Sequence, residues 1–194
     1  MVSIDHVRDL REQTGISISE CKKALEESGG DFEKAKEILR KWGKELAGKK
    51  SLREARQGLI DSYVHPNKKV GALLDIRCET DFVAKSDDFK NLAHEICMHI
   101  AAMKPLYLSE ADIPEEFLDG EKKIYSEQLK DSGKPEHIVS QVLEGKLNKY
   151  KEGVCLLSQR WIKDDQKTIK DLINGYIAKI GENISIKEFK RFEI

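Results

Sequence analysis

The densest run of potential metal ligands in this 194-residue chain is His94-Glu95-Ile96-Cys97-Met98-His99. A zinc protease uses HExxH, because His residues four apart share a helix face and converge on one ion. Here the second His comes one position later, about 140° round a helix, so the two rings diverge. They read as a surface His and a half-buried, hydrogen-bonded one. There is no GxxxxGK[ST] or GxGxxG phosphate cradle and no GxSxG nucleophile elbow. Asp87-Asp88 fits a helix start, where carboxylates complement the dipole. Cys155 has no base signal nearby. The expectation is no catalytic residue, no metal and no cofactor, which leaves a binding protein.

One local sequence stands out on those terms: Glu79-Thr80-Asp81-Phe82-Val83-Ala84-Lys85-Ser86. It places a Phe in a polar junction between a strand and a helix, and two readings are open. Phe82 could be a hydrophobic staple folded back on the core. On the local residues alone the staple is the favoured reading; the alternative is an anchor projecting into a partner's pocket, since aromatic side chains are prominent among interface hot spots.

The elements that hold this junction follow from periodicity. Residues 59–65 are expected as a strand, with Pro66-Asn67 as a turn. From Lys69 to Cys78 the chain alternates, Val70, Ala72, Leu74, Ile76 and Cys78 on one side, Asp75 and Arg77 on the other. Two strands so closely joined form an antiparallel hairpin. From Asp88 the period becomes helical, with Phe89, Leu92, Ala93, Ile96, Cys97, Ile100 and Met103 inward, stopping before Pro105. Residues 109–136 carry nine Asp/Glu against four Lys and a helix from near Pro114. Pro135 opens another, with Ile138, Val139, Val142, Leu143 and Leu147 inward. A further helix covers Thr168 to Ile180, ending at Gly181. Ile184 to Phe192 reads as extended, and its apolar parity switches between Ile186 and Phe189, which fits either a bulge or two partly covered faces. The fold class is α+β, with a small three-stranded antiparallel sheet, its last strand from the C-terminus, layered with helices.

The first forty-odd residues form a unit of their own. Ser3 caps a helix with Ile4, Val7 and Leu10 inward, ending at Thr14-Gly15. Ser17 and Glu20 make a capping box for a second, with Ile18, Cys21, Ala24 and Leu25 inward and Gly29-Gly30 at its end. Asp31 caps a third, with Phe32, Ala35, Ile38, Leu39 and Trp42 on one stripe, closed by Gly43. The division expected is a docking bundle over 1–44, a basic linker over 45–57 and the α+β core over 58–194. Between Arg40 and Arg56 seven basic residues face two acidic ones, a local excess of +5. That stretch reads either as a solvated linker or as a strip that steers an acidic partner or touches phosphates.

Net charge is −1, from 34 Lys+Arg and 35 Asp+Glu, which argues against a generic nucleic-acid binder. The longest run free of charged residues, Ile96 to Met103, is too short to span a bilayer, and the N-terminus has no signal-peptide pattern. Four scattered cysteines without a CxxC pair suit a reducing cytoplasm.

Several blocks taken together resemble a known family. Leu10-Arg11-Glu12-Gln13-Thr14-Gly15, Cys21-Lys22-Lys23-Ala24-Leu25 and Gly30-Asp31-Phe32-Glu33-Lys34-Ala35 are similar to the N-terminal signature of elongation factor Ts. Glu79 to Ala84 resembles that family's second hallmark. Gly145 to Lys149, Cys155-Leu156-Leu157 and Gly181-Glu182-Asn183-Ile184 resemble its C-terminal blocks, all in collinear order. The resemblance implies a guanine-nucleotide exchange factor for elongation factor Tu, acting without covalent chemistry. It implies that the N-terminal helices resemble a ubiquitin-associated domain and dock on the GTPase, through Leu10, Ile18, Lys22 and Lys23. It further implies that Thr80, Asp81, Phe82 and Val83 form the segment linked to Mg²⁺ dislocation, with Asp81 and Phe82 intruding. Family members often carry Gly and a Met pair where this chain has Ser17-Ile18-Ser19. The chain resembles short members, which lack a duplicated core and a helical-hairpin insertion. Such members are expected to pair through their core sheets in a 2:2 complex with the GTPase.

Overall fold

A computed structural model describes residues 2–130 and 135–194, so the 131–134 part of the acidic stretch lies outside the described residues. Three helices begin the chain: α1 (Ile4–Thr14), α2 (Ile18–Glu27) and α3 (Phe32–Lys50). Each starts on the expected cap. Ser3 accepts from the Asp5 amide, Ser17 from Glu20 at 3.3 Å, and Asp31 from Lys34 at 3.1 Å. Gly15 ends α1 in the left-handed conformation, φ 68°. The bundle core is Val7, Leu10, Ile16, Cys21, Ala24, Leu25, Ala35 and Leu39. Ile4 and Ile18, expected inward, are exposed instead. Both sit in the first turn of their helices, on the side the bundle does not cover.

The third helix corrects the expected boundary. It does not close at Gly43 but runs on to Lys50, so the basic residues up to 50 are helical. Gly43 is buried against α8 (Ile169–Ile180), where a Cβ would meet the Ala178 methyl at 3.5 Å. Its role is close approach, not termination. Lys44 pairs with Asp171 of α8 at 2.9 Å, and Ala47 enters the main core.

The central sheet has the order β1-β2-β5, from β1 (Gln57–Val64), β2 (Val70–Cys78) and β5 (Ile184–Glu193), all antiparallel. The alternation in β2 is realised: Ala72, Leu74, Ile76 and Cys78 are buried, while Leu73 on the outer face is exposed. The register of β5 slips between Asp75↔Glu188 and Ile76↔Ile186, which leaves Lys187 as the extra residue of a bulge. This explains how Ile186 and Phe189 reach the same side despite odd spacing.

The inner face packs on α5 (Asp87–Met103) and α8. Phe89, Leu92, Ala93, Ile96, Cys97 and Ile100 join the β2 side chains and Ile169, Leu172, Ile173 and Ile177 in one core. Met103 is half out at the helix end. His99, expected half-buried, is fully buried, whereas His94 is at the surface. The Gln159 amide donates through Nε2 to the carbonyls of Met103 and Gly153, so its Oε1 must face His99 and accept from His99 Nε2 at 3.0 Å. A short ribbon, β3 (Arg160–Trp161) with β4 (Asp164–Thr168), precedes α8 and has no counterpart in the sequence reading.

Helices α6 (Glu115–Lys130) and α7 (Glu136–Val154) start where Pro114 and Pro135 were expected to open them. Lys146 of α7 bonds Gln128 and lies over the Tyr125 ring, and Tyr150 feels Glu121. Residue numbers that rise on one helix fall on the other, so the pair is antiparallel. The apolar stripe of α7 is only half-buried, because α6 covers one side of it and solvent the rest.

Candidate functional site

Where β2 leaves the sheet, its backbone turns at Glu79-Thr80 into α4 (Asp81–Lys85), a helix of one turn that the sequence reading merged into the junction. A helix so short buries little: among its residues only Ala84 is buried. Polar contacts hold it. The Thr80 hydroxyl accepts from the Val83 amide at 3.4 Å as N-cap, and donates to Glu182 Oε1 at 2.6 Å. Asp81 pairs with Lys85 one turn on at 2.7 Å, and that contact lowers the Asp81 carboxyl below its ordinary value. At the far end Ser86 donates its hydroxyl to the Val83 carbonyl at 2.7 Å and accepts from the Phe89 amide at 3.3 Å, capping both helices.

Within this frame the four residues of the expected segment separate by role. Thr80 caps, Asp81 is exposed and paired, and Val83 leans on the main core. Phe82 points away from the protein with 82% of its surface exposed. That removes the staple reading: the ring is not folded back on its own core. A fully exposed Phe beside a well-formed core is an unused interaction of about 1.5–3 kcal/mol.

Beneath the junction the Cys78 thiol donates to the Thr80 carbonyl at 3.2 Å. Burial, then Glu182 and less strongly Glu79, push this thiol up to about 11. It therefore keeps its proton, and its hydrogen bond, at neutral pH.

The family model described as Elongation factor TS matches residues 17–194. The chain belongs to the elongation factor Ts family. It is 51% identical to "Elongation factor Ts" of Thermosipho melanesiensis, covering all of this chain and 99% of that protein. It is 54% identical to the protein of that name from Thermotoga petrophila, covering all of this chain and 96% of the relative. For Fervidobacterium nodosum the identity is 52%, over all of this chain and 98% of the relative. Family membership makes the chain a translation elongation factor of protein biosynthesis.

The docking residues inferred from the family signature divide. Ile18, Lys22 and Lys23 are exposed on α2, and Ile18 and Lys22, one turn apart, share a face. Lys22 leans towards Glu26 at 3.7 Å. Leu10 is corrected: it is fully buried at the centre of the bundle and offers no surface to a partner. Its place in the family signature reflects packing. No helix among the described residues is long and apolar enough to cross a membrane.

Sequence reasoning missed the residues that fix the junction from a distance, Glu182, Asn183 and Arg53. They lie 102 positions downstream or more than 25 upstream, and no periodicity links them to Thr80. The one available signal was the family block Gly181-Glu182-Asn183, which carried no contact information.

Proposed function

We propose that the chain binds elongation factor Tu in its GDP-bound form, displaces Mg²⁺ and promotes GDP release so that GTP can bind, in the cytoplasm and without covalent chemistry. The observation that carries this reading is Phe82, held outward on a one-turn helix pinned by the Thr80–Glu182, Asp81–Lys85 and Ser86–Val83 hydrogen bonds. Family membership supplies the partner; the exposed ring supplies the lever.

The mechanism is a coupling of two binding equilibria on one GTPase. If the exchange factor weakens GDP by some ratio, GDP weakens the factor by the same ratio. Contacts available in both states hold the complex but accelerate nothing, and Ile18 with Lys22 and Lys23 suits that part. The accelerating contacts must fit only the distorted nucleotide site. Burying Phe82 there, worth about 1.5–3 kcal/mol, would supply one to two decades of the coupling at ~1.4 kcal/mol per decade. Asp81 stands beside it, as a hydrogen-bond acceptor or as a charge set against phosphate.

The outer face of the sheet supports a second element, pairing of two copies to give a 2:2 complex. Ile60, Val64, Leu73 and Phe192 are all exposed there. Val64 and Phe192 flank Gly71, whose missing side chain leaves a shallow apolar saddle.

The test is to add sub-stoichiometric protein to elongation factor Tu loaded with labelled GDP. Turnover, many GDP released per factor added, is the expected result. Release limited to one equivalent per factor, or none, refutes the reading. Light scattering of the free chain checks the pairing, where a monomer mass at micromolar concentration removes it.

A further inference from the structure

The last cross-strand pair between β2 and β5 is Cys78↔Ile184, so the segment leaving β2 and the segment entering β5 lie side by side at one end of the sheet. Beyond it their side chains continue the ladder reciprocally. Glu182 Oε2 accepts from the backbone amides of Glu79, at 3.1 Å, and Thr80, at 3.0 Å, while its Oε1 takes the Thr80 hydroxyl. In return Glu79 Oε1 accepts from the Asn183 amide at 2.7 Å.

The 181–183 turn is itself tied down from the other end of the molecule. Gly181 ends α8 in the left-handed conformation, and its carbonyl accepts from the Lys50 ammonium at the end of α3. A cation at that point also opposes the negative end of the α8 dipole. Asn183 donates to the Arg53 carbonyl at 2.7 Å, and the Arg53 guanidinium faces Glu79 at 3.6 Å. Lys50 and Asn183 are both buried.

We propose that Glu182 is the positioning residue of the exchange segment, and that the 181–183 turn joins the N-terminal helices to the place where Phe82 stands. This rests on the exchange reading above and goes one step past it. Because the Thr80 hydroxyl spends its hydrogen on Glu182, its lone pairs are left for the Val83 amide. Glu182 thus sets the orientation of the cap from which α4 and Phe82 start. With the carboxylate gone, two backbone amides and one hydroxyl lose their acceptor together, and the start of α4 frays. The family docking helices would feel this junction through α3, since Lys50 and Arg53 belong to the far end of the helix and its exit.

The experiment compares the full chain with Glu182→Ala, Glu182→Gln and Phe82→Ala in two measurements. One is amide hydrogen exchange at Glu79 and Thr80 in the free protein; the other is GDP release from elongation factor Tu over a range of factor concentrations. Glu182→Ala is expected to expose both amides about tenfold and to lower the maximal release rate about tenfold, with half-saturation moved less than about twofold. Glu182→Gln, which keeps one acceptor oxygen, is expected to recover a good part of both effects and remains informative should the alanine variant fold poorly. A wild-type maximal rate in both Glu182 variants, with Phe82→Ala slow, overturns the positioning role and leaves the exchange reading standing. Wild-type rates in Glu182→Ala and Phe82→Ala alike overturn the exchange reading, and this proposal with it.

Discussion

Phe82 and Phe89 lie seven residues apart, on consecutive helices that share Ser86 as their boundary, and they have opposite fates. Phe89 is fully buried at the start of a helix of 17 residues; Phe82 is 82% exposed on a helix of five. Both helices begin on a hydroxyl cap, so capping does not separate them. What differs is the source of their stability. α5 presents an apolar stripe long enough to fill the space between the sheet and α8. α4 has too few residues for any stripe and is held by Thr80, Glu182, Lys85 and Ser86. The lesson is that a side chain can be kept outside only if something other than its own burial holds the backbone beneath it.

The largest test of that difference is stability. Truncating Phe89 should cost about 3–5 kcal/mol, through lost burial and the cavity left behind. Truncating Phe82 should cost under about 0.5 kcal/mol, as a surface substitution that removes no contact. Urea unfolding of the two variants checks this. Comparable losses would mean that Phe82 contributes to the protein's own core, and the contrast would fail.

In function the order reverses. Phe82→Ala is expected to slow GDP release from elongation factor Tu by one to two decades, equivalent to about 1.5–3 kcal/mol of differential burial. Ile18→Ala should instead raise the concentration needed for half-saturation and leave the maximal rate in place, because uniform binding does not accelerate release. If the two variants gave the same pattern, docking and levering would not be separable functions.

How much of this was legible in the sequence follows the same division. Elements held by their own apolar period were readable: β2 from its alternation, α5 and α8 from their stripes; the parity switch at Ile186 and Phe189 left a bulge or two half-covered faces open in β5, and the register slip decides for the bulge. Local caps were readable too, since Ser3, Ser17 and Asp31 act within three residues, whereas Thr168, expected as the first helical residue, is the N-cap of α8. Features that depend on distant partners were not. Gly43 reads as a terminator until Ala178 is seen against it. Leu10 reads as part of a docking signature until the bundle closes over it. The segment from Thr80 to Val83 was marked by its composition and by family resemblance, while the residues that hold it sit in the 181–183 turn and at the end of α3.

A smaller test uses pH. His99, on the buried face of α5, donates Nε2–H to Gln159, so its Nδ1 is the unprotonated nitrogen, and among the described residues that atom has no hydrogen-bond partner. Protonation would put an unpaired cation in the core, and burial accordingly lowers the His99 pKa from 6.5, while the Gln159 bond raises it less. The unfolded chain therefore takes up a proton first as pH falls. Stability from this residue is complete above about pH 6.5 and declines below it, by at most ~1.4 kcal/mol per pH unit. Denaturant midpoints at pH 7.5 and 5.5 should differ in the wild type and much less in a His99 variant that still folds. An equal drop in both would assign the loss to other groups.

The smallest test addresses the residue common to both helices. Ser86 ties the last turn of α4 to the first turn of α5 with one hydroxyl. Ser86→Ala should cost about 1 kcal/mol, an ordinary N-cap loss, because α5 keeps its apolar contacts and only its first turn loosens. Helix α4 has no such reserve. Hydrogen exchange should therefore rise more at the amide of Ala84 than at that of Ala93, and Ser86→Thr, which keeps the hydroxyl, should restore both. Uniform loosening of the two helices would show that they form one cooperative unit, and Phe82 would then be supported by the core after all.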